Sequence, residues 1–418
     1  YRCIILTIRE GNFMKFSKKI AIAAVPAVMA LASTNVDSKI LLMSQEGWEV
    51  SFDGAANAFI MQNSGTNAPT TSGGTAVTFD TTGGIVNATN SETSIVTGLL
   101  PNVWGMTLKA PTANGLDISA RLGLYTHMNG GENALGNGQI NIRETSGSVS
   151  GSFGTVLIGR SLGIHQSNAI LNDMLLFGVG AGASAGNGNT TLGRIGVGYL
   201  YTDFQPQVSW TLPSFGGFGA KIGLFDPKDV AADTVANSAT EHSAPRVEAQ
   251  ITWNGDFLQT GVGVNLWVDG TYQYTGRTLA ETQSRQAAAG GSAQLDIEHD
   301  SVESAGVGFG TKLSYEGFSL VATGFYASGL GMRGQHSVLP IRQVNNAVAA
   351  TTGALDDDGK ERKSYGGYIQ GTFDFGQGTN VGYSYGGNYL RMTGSDMNNL
   401  GTSNANTMHS GMIWHNVT

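Results

Sequence analysis

Charged side chains recur at alternate positions within short segments of this sequence. Glu49 and Asp53 are four residues apart, and Arg246 and Glu248 are two apart. Because side chains alternate between the two faces of a β-strand, the members of each pair would share a face. Charged groups gathered around a water-filled space select ions by the sign of their charge. The inward-facing set predicted from strand parity is Glu49, Asp53, Asp117, Arg121, Arg143, Lys221, Arg246, Glu248, Lys312 and Asp374.

Sequence patterns associated with catalysis or metal binding occur, but each lacks the secondary structure or the neighbouring residues that its chemistry requires. Residues 182–186 fit the G-x-S-x-G pattern, but no strand precedes them and no helix signal follows. Residues 329–334 fit a dinucleotide-binding pattern, but they open a surface loop outside any βαβ unit. His409 and His415 share a predicted strand without a third ligand nearby. The sequence therefore predicts no enzyme activity, no metal site and no cofactor.

The elements that would position the charges are short strands. In residues 246–253, Val247, Ala249, Ile251 and Trp253 would fall on one face, and the intervening polar residues on the other. Similar segments about ten residues long recur from Trp48 to the last residue, with no long apolar run, which is typical of a transmembrane β-barrel. A soluble antiparallel sandwich alternates in the same way, so alternation alone does not decide between them.

The composition favours one structured domain after a leader. The chain has 418 residues with Gly 61, Pro 9 and 13% charged residues, and no Pro-rich or charged linker divides it. Met14 begins a segment with three lysines, an apolar run and a small-residue site at 30–32, which predicts a signal peptide at 14–32. Residues 1–13 precede this methionine and are interpreted as upstream of the native start. An N-terminal segment at 33–46 and the barrel at 47–418 complete the predicted organisation.

The predicted mature chain is acidic and has no thiol. Cys3, the single cysteine, lies upstream of Met14, which suits an exported bacterial protein without disulfides. Removing residues 1–32 leaves 23 − 5 = 18 basic and 31 − 1 = 30 acidic residues, a net charge of −12. This charge argues against nucleic-acid partners.

Short turns alternate with long polar loops along the chain. Short turns are predicted at 111–115, 151–153, 214–217, 253–257, 314–318 and 374–380. Counting strands with this rhythm gives fourteen: 48–60, 95–108, 116–128, 138–148, 154–160, 206–213, 217–226, 244–254, 257–270, 303–314, 318–330, 363–375, 379–391 and 406–416. Because the chain stops where another turn is expected, we interpret it as lacking one hairpin of a sixteen-stranded barrel.

Residues 153–227 resemble the Gram-negative outer-membrane porins of the sixteen-stranded trimeric general-diffusion type. FGTVLIGR at 153–160 is similar to the fifth porin strand, which ends in a Gly-Arg pair. Residues 159–181 and 193–204 are similar to the third porin loop, which folds into the barrel, and SFGG at 214–217 joins two alternating strands as in porins. The alternation of short turns and long loops, also similar to that of porins, extends over 47–418.

The resemblance implies an outer-membrane homotrimer in which ions and small hydrophilic solutes diffuse passively through each subunit. Sixteen strands leave a water channel, which a loop at 161–205 would constrict. The apolar cluster at 170–177 would pin this loop to the wall as two helical turns, with Asn172 and Asp173 facing the opening. The residues assigned to the constriction are Arg160, Asn172, Asp173, Arg194 and Asp203.

The resemblance also implies a transverse electric field. Porins often place a basic wall opposite carboxylates on the third loop, and Arg121 and Arg143 match that wall in kind. Asp173 and Asp203 would form the acidic side, and wall ion pairs are the alternative interpretation of the arginines. The acidic excess predicts a weak preference for cations.

Other functions remain open at this stage. A secreted adhesin or surface β-protein would also be exported, and it would stay soluble without detergent. The tryptophans and tyrosines favour membrane-interface girdles over the sugar-binding track of a substrate-specific channel. Asp356, Asp357 and Asp358 with Glu361 favour a solvated charge run over a calcium site, because the ordered ligand spacing of a calcium loop is missing.

Overall fold

The computed structural model describes most of the chain from residue 40 onward. The described residues are 4–8, 40–64, 91–126, 140–181, 191–230, 238–278, 281, 301–332, 334, 354–356, 359–391, 393–394 and 405–415. The predicted signal peptide at 14–32, Cys3, the pattern at 182–186 and Asp357 and Asp358 lie outside these ranges.

The described chain is almost entirely β-strand. The strands are β1 (Ile4–Ile8), β2 (Ile40–Gln45), β3 (Trp48–Ala55), β4 (Phe59–Ser64), β5 (Ser91–Val96), β6 (Asn102–Lys109), β7 (Asp117–Thr126), β8 (Ile140–Gly151), β9 (Gly154–Leu162), β10 (Phe204–Thr211), β11 (Phe218–Phe225), β12 (Arg246–Asp256), β13 (Gly263–Gly276), β14 (Ser301–Tyr315), β15 (Phe318–Ser328), β16 (Lys363–Asp374), β17 (Thr379–Arg391) and β18 (Ala405–His415). One helix, α1 (Ser167–Leu171), follows β9.

Sixteen of these strands form one antiparallel sheet with up-and-down topology. Its order is β1-β18-β17-β16-β15-β14-β13-β12-β11-β10-β9-β8-β7-β6-β3-β2. The fourteen strands predicted from alternation correspond to β3 and to β6 through β18, while β1 and β2 add one strand at each end. The predicted strand 48–60 is wrong at its end, because β3 stops at Ala55 and Phe59 begins a separate β4–β5 hairpin. The all-β, antiparallel fold class is confirmed.

The sheet curls into a barrel. Leu99, just before β6, belongs to the same buried cluster as Trp267 of β13. These strands are seven positions apart in the sheet order, which is about 34 Å in a flat sheet with ~4.8 Å between strands. The two side chains are joined through Ala169, Ile170, Ile195 and Tyr199, which lie between β9 and β10, and a strongly curved sheet encloses this segment.

The outer face of the sheet is apolar. Ile251, Val268, Phe309 and Ile369 are among its exposed side chains, and register pairs Ile251 with Val268 and Val268 with Phe309. On β15, exposed Phe318 and Tyr326 bracket this apolar stretch at the turn end and the loop end. Their spacing is about 27 Å along the strand, or ~20 Å along the barrel axis at a tilt of ~40°. These dimensions suit the hydrocarbon core of a membrane with aromatic girdles.

A β-bulge in β8 changes which side chains face inward. Ile142 pairs with Leu124, while Glu144 pairs with Gly123, so the register shifts between Gly123 and Leu124. Alternation that points Ile142 outward would also point Glu144 outward. The extra residue instead brings Glu144 to the inner face beside Arg143.

The turn predicted at 253–257 is wrong. β12 continues to Asp256, and a 3-10 helix at Phe257–Gln259 precedes β13. Leu258 has φ of 49°, so it does not extend the alternation of β13 as predicted. Alternation still holds from Val264 onward.

The turn between β10 and β11 depends on two glycines with different surroundings. Gly217 has φ of +84°, and a Cβ there would lie 2.3 Å from the carbonyl oxygen of Asn254. Gly216 has φ of +57°, with no atom within 4 Å of such a Cβ. We therefore expect Gly217→Ala to lower the free energy of unfolding by about 1–3 kcal/mol more than Gly216→Ala, because both variants strain a positive φ but only Gly217→Ala adds a backbone clash.

Urea unfolding in detergent micelles, followed by loss of the heat-modifiable gel band, measures this difference. Equal midpoints for the two variants would contradict the predicted clash with Asn254.

Candidate functional site

Residues 163–203 connect β9 to β10, and we call this connection the inward loop. Its described parts, 163–181 and 191–203, lie against the inner face of the barrel. Its apolar side chains join two buried clusters with side chains of the wall. The first contains Leu99, Ala169, Ile170, Ile195, Tyr199, Trp267, Val321 and Tyr368. The second contains Met174, Leu175, Val197, Met408 and Met412. The prediction that an apolar cluster at 170–177 holds the loop to the wall is confirmed for Ile170, Met174 and Leu175, whereas Leu171 and Phe177 are exposed.

The helix in the inward loop is shorter and earlier than predicted. α1 covers Ser167–Leu171, a single turn that ends before Met174. The next backbone groups bond to the wall: Gln370 accepts from the Met174 N–H at 2.8 Å and donates to the Asn172 carbonyl at 3.1 Å. These bonds replace the second helical turn.

The first residues of the loop are held by two wall carboxylates. Glu248 Oε2 accepts the N–H groups of Ile164 at 2.7 Å and His165 at 2.9 Å. Asp269 Oδ1 accepts the N–H of Gln166 at 2.9 Å and lies 2.6 Å from His165 Nδ1. The side chains of Glu248 and Asp269 are buried. Both carboxylates therefore anchor the loop instead of facing water.

Glu248 also pairs with Arg246, two residues earlier on β12. The guanidinium Nε lies 3.2 Å from Glu248 Oε1, and both side chains are fully buried. Arg246 also lies over the Phe225 ring, with its Cζ 5.5 Å from the centroid. The predicted wall residues Arg246 and Glu248 thus form the alternative that the sequence left open, an ion pair.

Arg194 holds the later half of the loop. Its Nε donates to the Ser384 hydroxyl of β17 at 3.1 Å, and its Nη1 donates to the Met408 carbonyl of β18 at 3.2 Å. The side chain is fully buried and lies near the Tyr368 ring. Its predicted place at the opening is therefore wrong, because this guanidinium is used to attach the loop to two strands.

Asp173 lies within the loop core and not at the opening as predicted. Its Oδ2 accepts the Tyr199 hydroxyl at 2.8 Å, and its Oδ1 accepts the Leu175 N–H at 3.0 Å. Only 4% of the residue is exposed. Burial raises the pKa of this carboxyl, while the nearby Arg194 and the two hydrogen bonds oppose the shift. The adjacent Asn172 donates its side-chain amide to the Asn168 carbonyl at 2.9 Å.

The raised pKa of Asp173 predicts a pH effect on stability. From about pH 4 up to the raised pKa, the folded chain keeps a proton that the unfolded chain has lost. Since the folded state binds more protons in this window, stability should fall as the pH rises through it. We expect Asp173→Asn to flatten this part of the profile in urea titrations at several pH values. An unchanged slope in the variant would assign the effect to another group.

A second ion network lies on β3, β7 and β8. Arg121 Nη1 is 2.8 Å from Asp53 Oδ1, and Arg121 Nε is 3.0 Å from Glu144 Oε2. The Tyr125 hydroxyl also donates to Glu144 at 3.3 Å. Arg121 is therefore neutralised by two carboxylates, so it cannot supply the basic side of a transverse field as predicted.

The remaining predicted constriction residues lie at the ends of the loop. Asp203 Oδ2 is 2.7 Å from Lys228 Nζ, an ion pair between two connections. Burial lowers the pKa of Lys228, and Asp203 opposes the shift. Arg160 is a residue of β9 and not of the loop, in register with Thr145 and Pro206. With Asp173 buried and Asp203 paired, the predicted acidic side of the field is not assembled.

The other predicted wall residues also lie on the inner face. Arg143 lies 5.0 Å over the Tyr125 ring, and Lys221 and Lys312 are partly exposed. Glu49 and Lys109 form an exposed pair at 4.0 Å near the β2–β3 turn. Two further carboxylates lie at turn ends, Asp117 beside Thr112 and Asp374 beside Gly376.

Sequence reasoning missed three residues that organise the site. Asp269 follows the outward-facing Val268 in the predicted strand, so alternation would have placed it on the inner face. Glu144 was missed because the bulge was not predicted. Ile142 and Val149 are apolar residues an odd number of positions apart in one strand, so they can share a face only if the strand contains a bulge. Tyr199 carries no sequence signal, because its partner Asp173 is defined only by the folded loop.

Other chemistry is not assembled in the described part of the chain. No group of three or more His, Cys, Asp or Glu residues there could hold a metal ion. His409 Nδ1 lies 2.6 Å from the Tyr383 hydroxyl, and His415 Nδ1 lies 2.8 Å from the Thr379 hydroxyl. Asp356 is buried and accepts the Lys360 N–H at 2.8 Å. Among these residues, no helix is long and apolar enough to cross a membrane.

Comparisons with known proteins identify the fold. No protein-family model matches the sequence, and no similar sequence is found among curated proteins. The outer membrane channel DcaP of Acinetobacter baumannii superposes with a TM-score of 0.56 at 12% identity, covering 88% of this chain and 97% of that one. Salmonella typhi OmpF, in complex with daunomycin, gives a TM-score of 0.46 at 12% identity, covering 90% of this chain and 99% of that one.

An anion-selective porin from Comamonas acidovorans gives 0.39 at 13% identity, covering 88% of this chain and 99% of that one. At 12–13% identity, the similarity to these channels is one of fold. The chain therefore has the antiparallel β-barrel fold of an outer-membrane channel.

Proposed function

We propose that this chain is an outer-membrane porin, a water-filled channel for passive diffusion of ions and small hydrophilic solutes. The observation that carries the proposal is the inward loop. It crosses the inner face from β9 to β18 and is fixed there by buried side chains. A barrel of about sixteen strands is wide enough for an aqueous channel, and a loop fixed inside it narrows that channel. The loop is the constriction in this proposal.

The outer face supports a membrane location. Its exposed apolar side chains lie between aromatic residues at both strand ends, which favours lipid contact over the solvent exposure of a secreted adhesin. Export through the signal peptide at 14–32 and assembly as a homotrimer belong to the same proposal. The sugar-channel alternative has no observation that favours it.

Planar-bilayer conductance of the purified, refolded chain tests the proposal. We expect discrete, long-lived conductance steps, in threes if the trimer inserts as a unit. A folded, detergent-requiring barrel without conductance would contradict the channel function. A chain that stays soluble without detergent would favour the secreted alternative.

A further inference from the structure

We infer that the passage beside the inward loop favours small anions, such as chloride and carboxylates of similar size. This inference rests on the proposed channel function and specifies its solute class. It replaces the cation preference that net charge predicts, because the charges that reach water in the middle of the barrel differ from the charges of the whole chain.

The carboxylates on the middle of the inner wall are engaged. Asp53 and Glu144 share Arg121, and their side chains are 3% and 15% exposed. Glu248 and Asp269 are buried and accept the backbone N–H groups of the loop. Glu248 is paired with Arg246 and Asp269 is buried, while Asp53, Glu144 and Arg121 together keep one net negative charge on largely buried carboxylates. Little of this negative charge can therefore attract a passing cation.

The inward loop adds no available negative charge. Residues 163–203 contain two carboxylates, Asp173 and Asp203. The first is buried in the loop core, and the second is paired with Lys228. The loop segment outside the described ranges, 182–190, contains no charged residue in its sequence.

Three wall cations, in contrast, have no hydrogen bond or ion pair to a carboxylate among the described residues: Arg143, Lys221 and Lys312. All three are partly exposed. The guanidinium of Arg143 lies over the Tyr125 and Phe204 rings. Their charge is therefore available to ions in the passage.

Each of these cations adjoins the inward loop. Lys221 is in register with Gln250, which accepts the Ser167 hydroxyl of the loop at 3.2 Å. Arg143 lies 5.8 Å from the ring of Phe204, the residue that follows the loop. Lys312 is in register with Val321, which packs against the loop. The cations thus lie on the β8–β14 side of the barrel, next to the inward loop that narrows it, where one charge has most effect on ion selection.

The free carboxylates lie elsewhere. Asp117 and Asp374 are at the turn ends of β7 and β16, each next to a short turn. The net charge of the chain therefore describes its ends and loops, while the constriction carries the opposite sign.

Reversal potentials across a bilayer with a tenfold KCl gradient test the inference. We expect chloride to be more permeant than potassium in the native channel. Lys221→Glu should lower the chloride-to-potassium permeability ratio by about fivefold or more, because it changes the charge near the ion by two units. Lys221→Gln should give a smaller shift in the same direction and guards against misfolding of the charge-reversed variant.

Lys363→Glu is the matched control, because it makes the same charge change on exposed Lys363 at the loop end of β16. Its permeability ratio should stay close to that of the native channel. Potassium preference in the native channel, or equal shifts from Lys221→Glu and Lys363→Glu, would overturn the inference and leave the channel function standing. A folded barrel without conductance would overturn the channel function itself.

Discussion

Glu248→Ala is expected to release the start of the inward loop and to lower the free energy of unfolding by about 3–5 kcal/mol. The substitution leaves the buried guanidinium of Arg246 without its carboxylate. It also removes the acceptor of the Ile164 and His165 N–H groups. An uncompensated buried charge is among the costliest defects in a folded protein. Urea unfolding in micelles measures the loss, and larger, noisier conductance steps would report the freed loop.

Glu49→Ala is the matched control for this change. Glu49 pairs with Lys109 at 4.0 Å, and both side chains are about half exposed. Solvent screening limits such a pair to about 1 kcal/mol or less. Similar losses for the two variants would contradict the anchoring role of Glu248.

Arg194→Ala should detach the second half of the inward loop from β17 and β18. The change empties a fully buried site, removes the donors to Ser384 and Met408, and leaves buried Asp173 without a nearby cation. We expect a loss of about 3–5 kcal/mol in unfolding free energy, because buried charge partners and packed volume disappear together. Denaturant unfolding of the variant in micelles measures it.

Arg194→Lys distinguishes the contribution of the positive charge of Arg194 from that of the shape of its guanidinium. A lysine keeps the positive charge near Asp173 but cannot reproduce the planar fork that reaches Ser384 and Met408 together. We expect it to recover part of the lost stability. Arg391→Ala, at an exposed position on the end of β17, should change stability by less than about 0.5 kcal/mol. A loss in that control as large as in Arg194→Ala would indicate nonspecific sensitivity of the barrel.

The sequence by itself determined most strands of the sheet and their inward and outward faces. Alternation is a property of each strand, so RVEAQITW at 246–253 shows which residues face lipid without knowledge of its neighbours. The short turns carry a sequence signal as well, their glycines. In one of these turns, Glu316 and Gly317 adopt the positive φ angles that a tight hairpin requires. Apolar side chains at 170–177 also predicted that the loop packs inside. These features are local, and local physics fixes them.

The tertiary structure alone decided what the charged residues do. Arg121 is far from Asp53 in sequence, and Glu248 meets the loop backbone only after β9 and β12 are aligned. Strand parity places such groups on the inner face, but it cannot say which of them become partners. Asp173, predicted to face the opening, is withdrawn into the loop core by Tyr199. The net charge of the passage is set by the side chains that remain unpaired. Its sign therefore depends on distances between strands, which alternation does not specify.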